Sequence, residues 1–534
     1  MRRSPLPLPV RRPERRVAWS AACLVFALSL LGFAGEPWGA AAEARWRTTQ
    51  SLASLSMTID VPMAEPQEGE RLAIRKGTRK GTSYAAAPLG AAIMAVPAEW
   101  VAHFSGLGLQ LDPLQRVRLS RAVHAMLGSV WLAGIAALLV LAARRLGVER
   151  ITAWSSALAF ALTTWAVPAA RGFGPELPAA LLLLFGFQLL LRARYCLGHL
   201  LPVSRFELVL AGATLAFAGC VHPLAWPTAF IVLGAGEVEL RKGPRTRTNE
   251  GAVRGAWVLA PFAAVFALTL TLNLWRFGQP LDFGGGGPSI ASEPQAVLNA
   301  ALALLISPGR GMLLFAPGVV LAIVGVQASR ARGERSWGRV AAASLVVTWM
   351  LAAAQWSSDR IGPEQASSAW EYGPAYMLLV LPLVWLGVPL GVRRLREARM
   401  LRLAVLVLGC SGLFVNLAGV LVDAQTVRGL ARQVVPAQAN EDWNPTLASP
   451  IAHWRMIRRT TAGLSGPIAS DSLFGPQVRG QVESVNPRSR GFNGLGWVDL
   501  EKRAGLGWLG MSLATVLGVL GASLAILGLG PRAH

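Results

Sequence analysis

The chain has little charge and few cysteines for its length. Only 15% of its 534 residues are charged, against about 25% in an average soluble protein, while 53% are hydrophobic. High hydrophobicity excludes a disordered chain, and long uncharged apolar runs exclude a soluble nucleic-acid-binding protein. Four cysteines exclude a disulfide scaffold, and we interpret them as packing residues in or beside apolar runs. The composition that remains is typical of a polytopic membrane protein.

Apolar runs of about the length needed to cross a bilayer recur along the sequence. They cover 17–35, 121–143, 151–169, 175–191, 206–236, 256–275, 312–328, 340–356, 376–392, 402–424 and 505–529. The run at 206–236 is too long for one span and carries His222-Pro223 in its middle, so we divide it into two short helices. The sequence therefore predicts an all-α transmembrane bundle of about 12 spans. The stretch 90–104 is predicted to be an additional re-entrant or interfacial helix.

The net charge of +22 is concentrated in short segments between the runs. Arginines cluster at 144–150, 192–205, 241–254, 330–339 and 393–402. With 12 spans and the amino terminus inside, all five clusters face the cytoplasm, as the positive-inside rule requires. The opposite side then receives the long loops 36–120, 276–311, 357–375 and 425–504, where we expect the functional residues to lie. The first run is read as an uncleaved span, with a signal peptide as the alternative.

Motifs of soluble enzymes are missing from the sequence. It has no P-loop, no dinucleotide-binding glycine pattern and no HExxH, and its six histidines are not spaced as metal ligands. No internal repeat is visible, which disfavours an inverted-repeat transporter. His222 is either a functional ionisable group within the membrane or part of a capped helix break.

Several polar residues of the long loops suit a site for a phosphate and a hydroxyl acceptor. Glu36 and Glu43 follow the first span, and either could act as a general base, cap a helix or pair with Arg45. Arg276 and Arg310 lie in glycine-rich segments that suit phosphate binding, with a structural loop and a snorkelling arginine as the alternative.

Two further loop segments carry less specific signals. Arg171 and Glu176 flank a tight turn between two runs, where they could simply pair with each other. Tyr372 lies among aromatics that suit either an interfacial belt or stacking against a sugar.

In their order, these elements resemble the GT-C superfamily of membrane glycosyltransferases, near its protein O-mannosyltransferase and aminoarabinose-transferase branch and most closely its bacterial multi-pass members. The resemblance covers about residues 17–460. It is carried by the segments 42–46, 84–90, 165–176, 273–284, 307–311 and 372–376.

The resemblance implies a helical bundle with a cavity near the outer leaflet of a bacterial inner membrane, with both termini in the cytoplasm. It implies transfer of a sugar from a polyprenyl-phosphate carrier to a glycan, lipid or protein acceptor on the periplasmic face. The residues that match the family elements would have three roles. Glu43 or Glu36 would be the base; Arg45, Arg171, Arg276 and Arg310 would hold the carrier phosphate; Tyr84, Glu176 and Tyr372 would contact substrate. No cofactor beyond the lipid-linked donor is implied, and a requirement for a divalent metal stays open.

The resemblance also implies a division of the chain. Residues 1–16 form a basic cytoplasmic tail, 17–424 the bundle with its outer loops, 425–504 an outer loop or small lid, and 505–534 the last helix and a cytoplasmic tail.

Three departures affect the proposed chemistry. Ala42 stands where the family has Asp, Ala375 where it has Arg, and 85–87 are alanines where a proline-rich approach is expected. The alternative function is therefore a catalytically degenerate protein that binds a lipid-linked glycan or assembles with envelope machinery. A transporter ranks last, because the spans contain very few charges.

Overall fold

A computed structural model describes residues 12–32, 40–56, 74–78, 82–199, 201–241, 248–283, 293–331, 335–359, 372–395, 399–422, 427, 443–445, 447–462, 468–469, 481–482 and 507–529. The first eleven helices are α1 Arg12–Leu31, α2 Ala40–Ala53, α3 Gly90–Gly108, α4 Pro113–Arg145, α5 Arg150–Thr163, α6 Ala166–Ala170, α7 Glu176–Gly198, α8 Arg205–Val221, α9 Ala225–Arg241, α10 Thr248–Phe277 and α11 Pro294–Ile306. The others are α12 Met312–Phe315, α13 Val319–Ala331, α14 Arg335–Asp359, a 3-10 helix Ala375–Leu379, α15 Leu381–Trp385, α16 Gly387–Leu395, α17 Arg399–Leu421, α18 Ser449–Thr461 and α19 Gly507–Leu529.

The β-structure of the described residues consists of two short antiparallel strand pairs. Strand β1 Ile74–Lys76 pairs with β2 Ser83–Ala85, so that Arg75 lies opposite Tyr84. Strand β3 Ile468–Ala469 pairs with β4 Gln481–Val482. The predicted all-α bundle is confirmed, with these two hairpins added in its loops.

Six described helical segments are long and apolar enough to cross a membrane. They are Pro113–Arg145, Glu176–Gly198, Glu250–Phe277, Trp337–Gln355, Arg402–Leu421 and Met511–Leu529. Helices α8 and α9 have 17 residues each, the lower limit for a span. Their boundary at His222 and Pro223 confirms the predicted division of the long run. The total of about 12 spans stays a prediction.

Proline residues interrupt two runs that the sequence alone shows as continuous. The run at 312–328 contains α12 and α13, which are separated by residues 316–318 around Pro317. The run at 376–392 contains the 3-10 helix, α15 and α16. Proline explains both breaks, because it removes a backbone donor and clashes with the preceding turn of a helix.

The arginine-rich segments meet at one end of the bundle, which we call the basic end. Arg144 at the end of α4 pairs with Glu14 at the start of α1, with an N···O distance of 2.8 Å. Arg192 at the end of α7 pairs with Glu207 at the start of α8, also at 2.8 Å. The other end, which we call the distal end, therefore collects the loops predicted to carry the site. Which compartment each end faces stays a prediction.

The core of the bundle lies between α4, α7 and their neighbours. Helix α4 packs on α1 and α7, and α8 packs between α7 and α10. Trp165 and Phe160 are completely buried in this core. By contrast α10, α17 and α19 bury little of their apolar surface within the protein, so they present that surface to the surroundings of the bundle.

Candidate functional site

The segment from Tyr84 to Gly90 lies at the distal end, between the ends of two helices. Gly90 approaches the backbone at the end of α8 so closely that a Cβ on it would lie 2.6 Å from the carbonyl carbon of Cys220. From the other side, Arg276 in the last turn of α10 donates Nη2–H to the carbonyls of Ala85 at 2.9 Å and Ala87 at 3.2 Å. The segment 84–90 is therefore held in place by α8 and by Arg276.

Arg276 and Tyr84, two of the predicted site residues, are in direct contact. The guanidinium carbon of Arg276 lies 5.5 Å from the centre of the Tyr84 ring and 4.4 Å from that of Phe277. Arg276 and Tyr84 are each only 1% exposed. Among the described residues, no hydrogen-bond acceptor meets Nε or Nη1 of Arg276, and the Tyr84 hydroxyl has no partner either. The buried carboxylate of Asp282 is close enough to stabilise the positive charge of Arg276.

This group is therefore a buried cation with hydrogen-bond donors that are still available. Burial of an unsatisfied guanidinium is costly, and an oxyanion at Nε and Nη1 would remove that cost.

Arg45 extends from α2 toward a second part of the distal end. Its Nε–H donates to the carbonyl of Phe173 at 3.0 Å, and its guanidinium lies 5.9 Å from the centre of the Phe173 ring. The positive charge of Arg45 also acts on His222, in the break between α8 and α9. One turn further along α2, the Thr49 hydroxyl donates to the carbonyl of Ala92 at 3.4 Å. Arg45 therefore lies beside the start of α3 and the end of α8.

Glu43, the predicted base, is bound by two arginines. Its Oε1 accepts from Arg47 at 3.2 Å and from Arg121 of α4 at 2.8 Å. Both bonds end on Oε1, and no donor from the described residues meets Oε2, which can therefore take a hydroxyl proton. Glu43 and Arg45 are two positions apart on a helix and contact different neighbours, because such positions point to nearly opposite sides. Glu36, the other predicted base, lies outside the described residues.

A second carboxylate, which the sequence did not single out, lies close to the Glu43 cluster. Glu99 of α3 accepts a 2.5 Å hydrogen bond from the Ser120 hydroxyl on Oε2, and His124 Nδ1 is 3.6 Å from the same oxygen. Ser120 also accepts from the indole N–H of Trp46 at 2.8 Å. The ring of Trp46 in turn lies 4.7 Å from the guanidinium of Arg121.

The available signal for this group was the spacing of Ser120 and His124 on one face of a helix. That spacing alone indicates no chemical role, because it does not show that Glu99 of α3 faces the two side chains.

Arg171 holds the end of α17. Its Nη1–H groups donate to the carbonyls of Gly419 at 2.9 Å and Val422 at 3.0 Å, and the side chain is 1% exposed. The last carbonyls of a helix lack partners within the helix, and a cation there also opposes the negative end of the helix dipole. This geometry gives Arg171 a role in fixing α17, whereas the predicted contact with a phosphate stays a prediction.

Tyr372 lies against the same helix end. Its hydroxyl donates to the carbonyl of Val415, and its ring centre is 4.9 Å from that of His453 on α18 and 5.2 Å from that of Phe315. Burial raises the pKa of the Tyr372 phenol, so it stays neutral. Burial, together with the nearby charge of Arg171, lowers the pKa of His453 to about 4. The sequence did not identify His453 as part of this group.

Arg310 lies in the turn between α11 and α12, and Glu176 lies at the start of α7. The backbone N–H of Arg310 donates to the Ser307 hydroxyl at 3.2 Å, and that of Gly311 to the Ser307 carbonyl at 2.7 Å. Arg310 is 3% exposed. Glu176 is in the first turn of α7, where a carboxylate is favoured by the helix dipole.

The predicted site residues that the structure describes lie toward the distal end, in separate groups. Arg276 contacts Tyr84, and Arg171 and Tyr372 share the end of α17. Within the described part of the chain, Glu43 contacts Arg47 and Arg121, whereas Arg276 contacts Tyr84 and Phe277. In that same part, no group of three or more His, Cys, Asp or Glu side chains could hold a metal ion.

No known protein-family profile matches the chain, and no curated protein matches its sequence. Among solved structures, the chain is similar to the crystal structure of ArnT from Cupriavidus metallidurans bound to undecaprenyl phosphate. The two are 14% identical in sequence, the match covers 94% of this chain and 76% of that one, and the TM-score is 0.45.

Proposed function

We propose that the protein is a membrane glycosyltransferase that moves a sugar from a polyprenyl-phosphate carrier to an acceptor at the distal end, on the periplasmic face of the bacterial inner membrane. One observation carries this proposal: Arg276 and Arg310 are each at most 3% exposed at the end opposite the basic loops. Topology does not account for arginines on that side. Buried cations there suit an anionic substrate.

Arg276 is the arginine best placed to hold the carrier phosphate. Its Nε and Nη1 groups lack hydrogen-bond acceptors among the described residues, whereas its Nη2 fixes the 85–87 backbone. The same helix presents Leu268, which is more than half exposed, about two turns before Arg276. An apolar carrier tail can lie along this face of α10 while its phosphate reaches the guanidinium.

The reaction needs one base and one stabilised leaving group. A carboxylate, Glu43 through Oε2 or Glu99, takes the proton of the acceptor hydroxyl as its oxygen attacks the anomeric carbon of the sugar. The bond from that carbon to the phosphate oxygen breaks, and the polyprenyl phosphate leaves with the electron pair. Arg276 stabilises the negative charge that develops on the phosphate.

A non-catalytic carrier-binding protein is the second candidate, and the pairing of Glu43 favours it. Two guanidiniums engage one oxygen of this carboxylate and hold it in an ion-pair cluster, which is a structural arrangement. Ala42 and Ala375 point the same way, since both replace family residues with side chains that cannot take part in the reaction.

The test of carrier binding compares two arginines of the same helix. We expect the Arg276→Gln variant, reconstituted with radiolabelled polyprenyl-phosphate sugars, to lose roughly 100-fold or more in transfer rate, because one donor to a developing oxyanion has about that effect. Arg254→Gln is the matched control, since Arg254 lies on α10 toward the basic end and pairs with Glu250. Equal loss in both variants, or in neither, would contradict the assignment of Arg276.

The base is tested with Glu43→Gln and Glu99→Gln, which preserve side-chain size. We expect one of the two to abolish transfer while carrier binding stays intact. Transfer at the wild-type rate in both variants would refute both base assignments. If the wild type binds polyprenyl phosphate and transfers no sugar with any donor and acceptor supplied, the binding protein is the correct function.

A further inference from the structure

A groove enters the bundle from its basic end, between α5, α16 and α17. It consists of a mouth of about 310 Å³ and an inner part of about 190 Å³. The two parts share Thr152, Ser155, Val392 and Val405, so they adjoin each other. We call this cavity the basal groove.

The groove exists because α5 and α17 touch near one end and diverge toward the other. At Gly412 of α17, a Cβ would lie 2.6 Å from the carbonyl oxygen of Thr163 on α5, which closes the groove there. One turn closer to the basic end, a Cβ at Gly409 would meet no atom within 4 Å. Trp385 forms part of the inner wall, and its indole N–H donates to the carbonyl of Ser156 at 2.9 Å.

The depth of the groove matches one leaflet of a membrane. From Thr152 at the mouth to Thr163 at the closed end, α5 advances about 16 Å at about 1.5 Å per residue. Half of a hydrocarbon core of about 30 Å is similar. The groove thus has room for an apolar chain that extends from the basic end to about the middle of the bilayer.

The lining changes from apolar to charged along this depth. The inner part presents residues such as Ala159, Val388 and Leu408. The mouth presents Arg393 and Arg402, both exposed, together with Glu149. A cationic mouth above an apolar cleft is complementary to a molecule with an anionic head and a hydrocarbon tail.

We propose that the basal groove binds an anionic glycerophospholipid. Its phosphate lies at Arg393 and Arg402, and one acyl chain follows α5 toward Thr163. A free anion would not use the apolar cleft, and a neutral lipid would not use the two guanidiniums. The long tail of a polyprenyl phosphate would exceed a groove that closes at Gly412. The site is therefore separate from the carrier site proposed at the distal end.

The charge of the mouth is tested by binding of fluorescent phosphatidylglycerol to the purified full chain in neutral detergent. We expect the double variant Arg393→Gln, Arg402→Gln to bind about 25-fold more weakly, at about fivefold for each basic residue near an anionic head group. The double variant Arg15→Gln, Arg16→Gln is the control. These two arginines are exposed on α1 at the same end and do not line the groove. Equal affinity in the two double variants would overturn the proposal.

The apolar part is tested by filling it. Gly409→Leu places a side chain in the open part of the groove, and we expect it to reduce binding at least tenfold. Gly234→Leu is the control, because Gly234 is exposed on α9, has no atom within 4 Å of a built Cβ and lies outside the groove. If Gly409→Leu fails to fold, the arginine variants decide the matter alone.

Competition with unlabelled lipids identifies the head group and the tail that the basal groove prefers. We expect unlabelled phosphatidylglycerol to displace the probe, and phosphatidylcholine or inorganic phosphate to do so at least tenfold less well. Displacement by phosphatidylcholine at the same concentration would overturn the anionic assignment. Stronger displacement by polyprenyl phosphate than by phosphatidylglycerol would overturn the assignment to a glycerophospholipid.

Discussion

Replacement of Arg171 by methionine removes the charge and the donors of this side chain and preserves much of its length. The carbonyls of Gly419 and Val422 then lose their partner in a buried environment. A hydrogen bond to a charged group contributes about 1.5–3 kcal/mol. The loss of two such bonds therefore lowers the free energy of unfolding by about 3–6 kcal/mol.

That loss is large enough to appear in thermal unfolding. The unfolding entropy of a chain of 534 residues converts it to a fall of about 3–5 °C in Tm if the bundle unfolds as one unit. The assay is intrinsic tryptophan fluorescence of the purified protein in detergent during heating. Arg458→Met is the matched control, because Arg458 is exposed on α18 and a surface change of this kind stays within about 0.5 kcal/mol.

The result that refutes this reasoning is specific. If Arg171→Met unfolds at the wild-type temperature and binds polyprenyl phosphate more weakly, then Arg171 serves the carrier and the helix end does not depend on it. A lower Tm with unchanged carrier binding supports the structural role.

Two further predictions concern other buried groups. Because burial lowers the pKa of folded His453 to about 4, the unfolded chain, with a histidine pKa near 6.5, binds the proton first as the pH falls. The stability that His453 contributes is thus complete above pH 6.5 and decreases toward pH 4. Between pH 7.5 and 4.5 we expect the free energy of unfolding of the wild type to fall by about 2–3 kcal/mol more than that of His453→Gln. Equal decreases in urea unfolding would contradict this. Glu14→Gln leaves the partly buried Arg144 without its carboxylate, so we expect a loss of about 3–5 kcal/mol in the free energy of unfolding. In Glu250→Gln, which breaks a more exposed pair, we expect a loss below about 1 kcal/mol, and similar Tm values for the two variants would refute the difference.

Hydropathy and proline placement were sufficient to predict much of the bundle. The break at His222 and Pro223 was predicted because the run was too long for one span, and the pairing of Glu14 with Arg144 is consistent with the predicted grouping of the basic loops. The interruption around Pro317 was not predicted, because the flanking residues are apolar and the run shows no change in hydropathy. Hydropathy reports burial and does not report the path of the backbone.

The candidate site was less predictable for a related reason. Arg171 and its two acceptors are 248 and 251 residues apart in the chain, so their contact depends on how α17 packs against the turn before α7. Glu99, Ser120 and His124 lie on two helices that the sequence describes only as apolar stretches with isolated polar residues. Resemblance to a family selected the candidate segments, whereas the partners of each side chain followed only from the packing.

The contact between α1 and α19 affects the order in which the protein can be assembled. The Ser20 hydroxyl of α1 donates to the carbonyl of Gly521 on α19 at 2.7 Å, across 501 residues of sequence. At about 5–20 residues per second of synthesis, the ribosome needs roughly 25–100 s to make the chain between them. During that time α1 has α4 and α5 as partners, and its remaining face is open to lipid. The bundle therefore has a late closing step, at which quality-control proteases can recognise chains that lack α19.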